Sequence, residues 1–123
     1  MSLDAKGRMV FPSRYRERLS DCCNGRLVVT VDFNHDPCLR IYPLPEWEEA
    51  ERKVMSLPSV KKPYRQLQRV FVGNATECDM DGSGRILVPT PLRQLAKLDK
   101  RIVLVGQGER FELWDEDAWN AQQ

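Results

Sequence analysis

Histidine is almost missing from this chain: 123 residues contain one, His35. A hydrolase built on an activated nucleophile needs a base beside it, and no G-x-S-x-G elbow or second repeated acid supplies the other parts. Cys22, Cys23, Cys38 and Cys78 form no C-x-x-C pair, which removes the usual zinc and dithiol-redox signatures. Adjacent Cys22 and Cys23 are poorly placed to bridge each other, and no signal peptide is legible; four free thiols then point to a reducing cytoplasm. No apolar run approaches the ~20 residues of a membrane span. There is no G-x-G-x-x-G, and Gly-Ser-Gly at 82–84 lacks the lysine of a phosphate-binding loop. An enzyme is not expected, nor a cofactor or small-molecule substrate. Strong net charge is lacking too: the formal value is +1, low for a nucleic-acid binder.

Metal readings also fail for want of ligands. The run Asp79-Met80-Asp81-Gly82-Ser83-Gly84 opens like a calcium loop, but Thr90 stands where the closing acid belongs. His35 and Cys38 would make two metal ligands without a third or fourth at recognisable spacing; a solvated turn at 34–37 is the reading that remains.

What the chain does contain is one pattern written twice. Residues 4–16 read DAKGRMVFPSRYR and residues 81–93 read DGSGRILVPTPLR. Asp4, Gly7, Arg8, Pro12 and Arg16 recur as Asp81, Gly84, Arg85, Pro89 and Arg93. The parallel continues: 27–31 (LVVTV) matches 101–105 (RIVLV), and 39–47 (LRIYPLPEW) matches 111–119 (FELWDEDAW), so Tyr42 falls on Trp114 and Trp47 on Trp119. Each half reads as turn, strand, helix, strand, strand, helix. The second half has an alternating lead-in at 75–80, whereas only Met1, Ser2 and Leu3 precede the first turn. The expectation is that a strand's worth of natural N-terminus is missing, which would leave a sheet edge unpaired.

The duplicated turn carries the chemistry. Gly7 and Gly84 permit a tight bend, and an arginine follows each. Asp4 and Asp81 are turn-organising candidates: a bidentate ion pair would hold each guanidinium while leaving N–H groups free for a ligand. Arg8 and Arg85 could then read guanine edges or clamp phosphates. Lys6, Arg14 and Arg16, with Arg18, crowd the first repeat, and the first three are candidates for positioning a nucleic-acid backbone. Lys61, Lys62, Arg65 and Arg69 form a second basic stretch, while 46–51 and 114–119 carry compensating acid. Trp47, Trp114 and Trp119 lie in those acidic surroundings, so packing or a subunit interface suits them better than base stacking.

The local pattern predicts a helix capped by Ser13 with Tyr15, Leu19 and Cys22 inward, and another from Thr90-Pro91 burying Leu92, Leu95 and Ala96. A connector helix opens at Pro45, buries Trp47, Ala50, Val54 and Leu57, and stops at Pro58. A further helix from Lys61 turns Tyr64, Leu67 and Phe71 inward, with Gly73 as its C′ residue. The expected division is residues 1–47, a helical connector at 48–73, and residues 74–123.

The paired D-x-x-G-R turns leading to proline, the YPLPEW segment and the closing ELWDEDAW resemble the MraZ family, bacterial transcriptional regulators made of two SpoVT-AbrB domains. The resemblance spans nearly the whole chain. It implies an α+β fold in which two pseudo-symmetric AbrB-like halves interleave into a β-barrel-like core with flanking and connecting helices. It also implies a ring-shaped homo-oligomer, nucleoid association, and binding of double-stranded DNA at direct repeats upstream of the division and cell-wall gene cluster, typically as a repressor. Arg8 and Arg85 match the family's DNA-contacting arginines, with Lys6 beside the first. Ser83 replaces Lys6 in the second turn. The competing reading is a ring-forming protein-interaction scaffold in which the Asp–Arg turns are structural.

Overall fold

A computed structural model describes residues 1–34 and 36–122. The expected order of elements is present in both halves. The first runs β1 (Arg8–Val10), α1 (Ser13–Cys23), β2 (Leu27–Val31), β3 (Cys38–Pro43) and α2 (Leu44–Met55). Then come α3 (Lys62–Leu67) and a π-helical turn (Gln68–Val72). The second half follows as β4 (Thr76–Glu77), β5 (Arg85–Leu87), α4 (Thr90–Leu95), β6 (Ile102–Gln107), β7 (Arg110–Asp115) and α5 (Glu116–Ala121). No described helix is long and apolar enough to cross a membrane.

The halves exchange strands. β1 pairs antiparallel with β5, and the larger sheet runs β4-β2-β3-β7-β6, so second-half β4 flanks first-half β2 and the two halves meet at β3–β7. Register reveals the symmetry. Arg8 faces Leu87 and Val10 faces Arg85, with Met9 opposite Ile86 between them. In the larger sheet Leu39 faces Leu113 and Ile41 faces Phe111, with Arg40 opposite Glu112 between them. A pseudo-twofold axis therefore passes through Met9–Ile86 and again through Arg40–Glu112.

One core serves both halves: Met9, Phe11, Leu19, Leu27, Leu39 and Ile41 pack with Ile86, Val88, Leu92, Ile102, Phe111 and Leu113. All six residues of β3 are buried, as a central strand covered on both faces requires. A second cluster, Val28, Tyr42, Trp47 and Phe71, lies under the connector and involves the first half.

Several expectations need correction. Among the described residues the β-structure does not close into a barrel: the five-stranded sheet is open, with β4 and β6 at its edges, and β1–β5 is a separate ribbon. β4 has only two residues, too few to curl the sheet back on itself. Met1–Leu3 does meet β6, through a Ser2–Arg101 bridge and bonds from Leu3 N–H to Lys100 O (2.8 Å) and Ile102 N–H to Met1 O (3.0 Å). Ser13 is not a cap, because the extended backbone of Pro12 (φ −54°, ψ 146°) puts the helix boundary one residue earlier; Pro43 and Pro89 act alike at α2 and α4. Cys23, not Cys22, packs toward the core, one position round the stripe, and Leu95 stays exposed while Leu92 and Ala96 are buried. Gly73 keeps a right-handed φ of −65°, because the π turn before it already satisfies its N–H at Gln68 O, five residues back.

Candidate nucleic-acid interface

Each turn is organised by one carboxylate. Asp4 Oδ1 accepts the backbone N–H groups of Lys6 and Arg8, both at 2.9 Å, and Oδ2 accepts Arg8 Nε at 2.7 Å. Asp81 repeats this: Oδ1 takes the N–H groups of Ser83 and Arg85 at 2.9 Å, and Oδ2 takes Arg85 Nε at 3.0 Å. The expected bidentate fork is thus replaced by a split arrangement, since one oxygen is committed to the backbone. Its consequence is useful. Each arginine is tethered by Nε alone, and no bond from its two terminal nitrogens to a protein group is present among the described residues. The side chains are 31% and 36% exposed.

Hydrogen bonds from the backbone N–H of Arg8 hold Asp4 below the usual carboxylate range, helped by the Arg8 side chain and the Lys6 N–H. The N–H groups of Arg85 and Ser83, with the Arg85 guanidinium, do the same for Asp81. Both carboxylates are therefore charged at neutral pH.

The glycines couple the turns to the opposite half. Gly7 (φ +84°) and Gly84 (φ +76°) are left-handed, where a side chain is strained, and a Cβ would also collide with Arg93 at Gly7 or Arg16 at Gly84. Phe11 N–H donates to Gly84 O (2.9 Å) and Val88 N–H to Gly7 O (3.0 Å), closing the ribbon symmetrically. Arg16 donates Nε to Phe11 O at 2.7 Å, so it clamps one turn from beneath. Arg93 donates Nη2 to Thr90 Oγ1 at 2.7 Å, but its Nε is buried without an acceptor among the described residues. Sequence reasoning gave Arg16 a possible part in binding and passed over Arg93; the duplication was the signal that could have flagged it.

The other candidates separate spatially by role. Lys6 is exposed in the first turn beside Arg8. Arg14 is exposed at the start of α1 with its guanidinium 4.8 Å from the Tyr15 ring centre, and Arg18 reaches Gly108 O at 3.3 Å. Arg65 serves structure, donating Nη1 to the carbonyls of Ser59 and Val60.

A feature missed in the sequence lies at the axis. Arg40 is buried and donates Nε to Asp32 Oδ1 at 2.7 Å and Nη1 to Tyr42 Oη at 3.2 Å, with its guanidinium 4.3 Å from the Phe33 ring centre. Asp32, Cys38 and Glu112 converge here at possible metal-ligand spacing. Two of the three already hold hydrogen bonds, however, and burial opposes ionisation of the third. Asp32 accepts Arg40 Nε and the Asn34 N–H, Glu112 accepts Trp114 Nε1 at 3.0 Å, and burial pushes the Cys38 thiol up to about 12. Of the three, Asp32 is the one that bonds Arg40. The paired His35–Cys38 reading concerns His35, outside the described residues.

A family profile described as "MraZ protein, putative antitoxin-like" matches residues 1–70 and again 71–123. The chain belongs to the MraZ family. It is 61% identical over 119 residues to the "Transcriptional regulator MraZ" of Thioalkalivibrio sulfidiphilus, covering 97% of this chain and 78% of the relative. Proteins of the same name from Pseudomonas putida and Pseudomonas aeruginosa are 59% and 58% identical over 121 residues, 98% of this chain and 80% of theirs. The two profile matches fall on the two halves that exchange strands, so the duplication in the family is the one the register displays.

Proposed function

We propose that this protein is a sequence-specific DNA-binding transcriptional regulator that acts as a homo-oligomer on direct repeats upstream of the division and cell-wall gene cluster, as a repressor. The carrying observation is the β1–β5 ribbon: two arginines on its outward face, in pseudo-twofold register, each held by Nε, with no bond from its terminal nitrogens to a protein group among the described residues. A fixed guanidinium with two free donors is the group that pairs bidentately with guanine O6 and N7, and a two-stranded ribbon fits the major groove. Arg8 and Arg85 read bases; Lys6 and Arg14 contact phosphates; Arg16 supports the turn from below while its remaining donors face the backbone of the DNA. The relatives' shared name supports the regulatory reading.

The low net charge of +1 is compatible with binding once copies act together. A ring of subunits engaging several repeats turns weak single contacts into avidity, with steep salt dependence. Such a protein works in the cytoplasm, on the nucleoid.

Mobility shifts with DNA from upstream of the protein's own gene test this, using Arg8→Ala and Arg85→Ala proteins whose mass and circular dichroism match the parent. Each should shift multi-repeat DNA at least about fivefold less well. Undiminished binding by both would hand the turns to the scaffold reading, in which Asp4–Arg8 and Asp81–Arg85 only fasten the chain.

A further inference from the structure

We infer that Val10 and Leu87 are base-reading residues that contact thymine C5-methyl groups beside the guanines addressed by Arg85 and Arg8; this rests on the DNA-binding reading above. Both strands of the ribbon have the same burial pattern. The middle residues, Met9 and Ile86, are buried at 0% and 1% exposure, while Val10 and Leu87 stand open at 41% and 54%. An outward strand position on a solvated face ordinarily carries a polar residue. Here a large aliphatic occupies that position in both copies of the repeat, on the same face as the two arginines.

Register determines the neighbours. Leu87 lies opposite Arg8 and Val10 opposite Arg85, so each aliphatic has an arginine from the other half as its cross-strand partner. With strands ~4.8 Å apart and outward residues on one strand ~7 Å apart, the four side chains form a patch about 8 Å along its diagonal. That spans roughly two base-pair steps at ~3.4 Å each. The patch is cationic on one diagonal and apolar on the other.

Phosphate clamping gives the aliphatics nothing to do, since a phosphate offers only charge and acceptors. The major-groove edge differs. Guanine presents two acceptors to an arginine, and thymine presents the C5-methyl, the apolar group of that edge. A ribbon carrying arginine beside an aliphatic in two symmetric copies matches a G·C pair next to a T·A pair, read twice.

The test is fluorescence anisotropy with the same upstream duplex, replacing thymidines in the footprint by deoxyuridine, which removes the methyl and leaves base pairing intact. Parent protein should lose about fourfold in affinity for each contacted methyl removed, the factor expected for exposing one methyl-sized group. Val10→Ser and Leu87→Ser proteins should each bind the thymidine duplex weaker by that factor and lose one methyl's share of the sensitivity, and the double variant should ignore the replacement. Equal affinity of the parent for both duplexes overturns the inference, as does a double serine variant that keeps the parent's full methyl sensitivity. A changed oligomeric mass in the serine variants would assign the aliphatics to a contact between copies and overturn it equally. Absence of binding by the parent to any duplex removes this inference together with the reading beneath it, whereas normal binding without methyl sensitivity removes this inference alone.

Discussion

In the first half Tyr42 and Trp47 stand 5.7 Å apart between ring centres; in the second, Trp114 and Trp119 stand 5.6 Å apart. The same strand-to-helix junction builds both pairs, five residues apart in each. Their surroundings differ. Phe71 of the connector lies 5.9 Å from Tyr42 and 5.1 Å from Trp47, sealing that pair into the second core cluster. Trp119 has no such cover among the described residues and stays half-exposed. The two turns behave otherwise. Asp4 and Asp81 make the same set of bonds to within 0.3 Å, down to the paired N–H groups and the Nε contact. A duplicated chain is thus free to diverge where its copies meet different neighbours. It is alike where both copies are to meet the same thing, as two arginines addressing repeated features of one partner would.

The largest break in symmetry sits on the axis, where one repeated position holds Arg40 in the first half and Glu112 in the second. Arg40 and Asp32 are nearly solvent-free, with side chains 8% and 1% exposed. Asp32→Ala should therefore cost about 3–5 kcal/mol in urea unfolding, because it leaves a buried guanidinium uncompensated. Glu112→Ala, which loses a hydrogen bond to Trp114 Nε1, should cost only about 1 kcal/mol. Equal costs would mean that the axis is electrostatically even after all. The aromatic pairs offer the next comparison. Trp47→Ala should lose about 3–5 kcal/mol by opening a cavity in the connector cluster, and Trp119→Ala roughly half as much. A larger loss at Trp119 would show that another copy covers it in solution, and sedimentation across concentrations would reveal that dependence.

The turns should respond to acid together. Each carboxylate is depressed by backbone N–H bonds, so its contribution is complete above the ordinary value of about 4 and is lost as pH falls through the depressed value. Amide resonances of Lys6, Arg8, Ser83 and Arg85 should stay constant from pH 7 to about 5 and then shift in parallel below about 4. Movement of one turn alone would break their equivalence. Both groups are exposed, so this is a small effect on global stability.

Much of this was legible in the chain. The turn motif announces itself by repetition, and the helix starts expected at Ser13, Pro45 and Thr90 fall within a residue of those observed. Local pattern also yields the element order. What it could not yield depends on contacts distant in sequence. The buried Asp32–Arg40 pair looks like surface charge until β3 is known to be the central strand. Periodicity cannot separate Cys22 from Cys23 at the edge of a helical stripe, nor show the π turn at Gln68–Val72. There, Thr30 Oγ1 donating to Phe71 O at 2.6 Å joins the connector to β2. Strand exchange also escapes a half-by-half reading, since each half is self-consistent on paper; only the family resemblance led to its being expected. The ribbon that carries Arg8 and Arg85 exists only once the halves are interleaved.

The most direct measurement compares the affinities of parent, Arg8→Ala and Arg85→Ala proteins for a promoter duplex and for a scrambled duplex of equal length, at one fixed salt concentration. If the tethered guanidiniums read bases, each variant should lose about 1–3 kcal/mol on the promoter duplex and little on the scrambled one. An equal loss on both duplexes, or no loss on either, would contradict it.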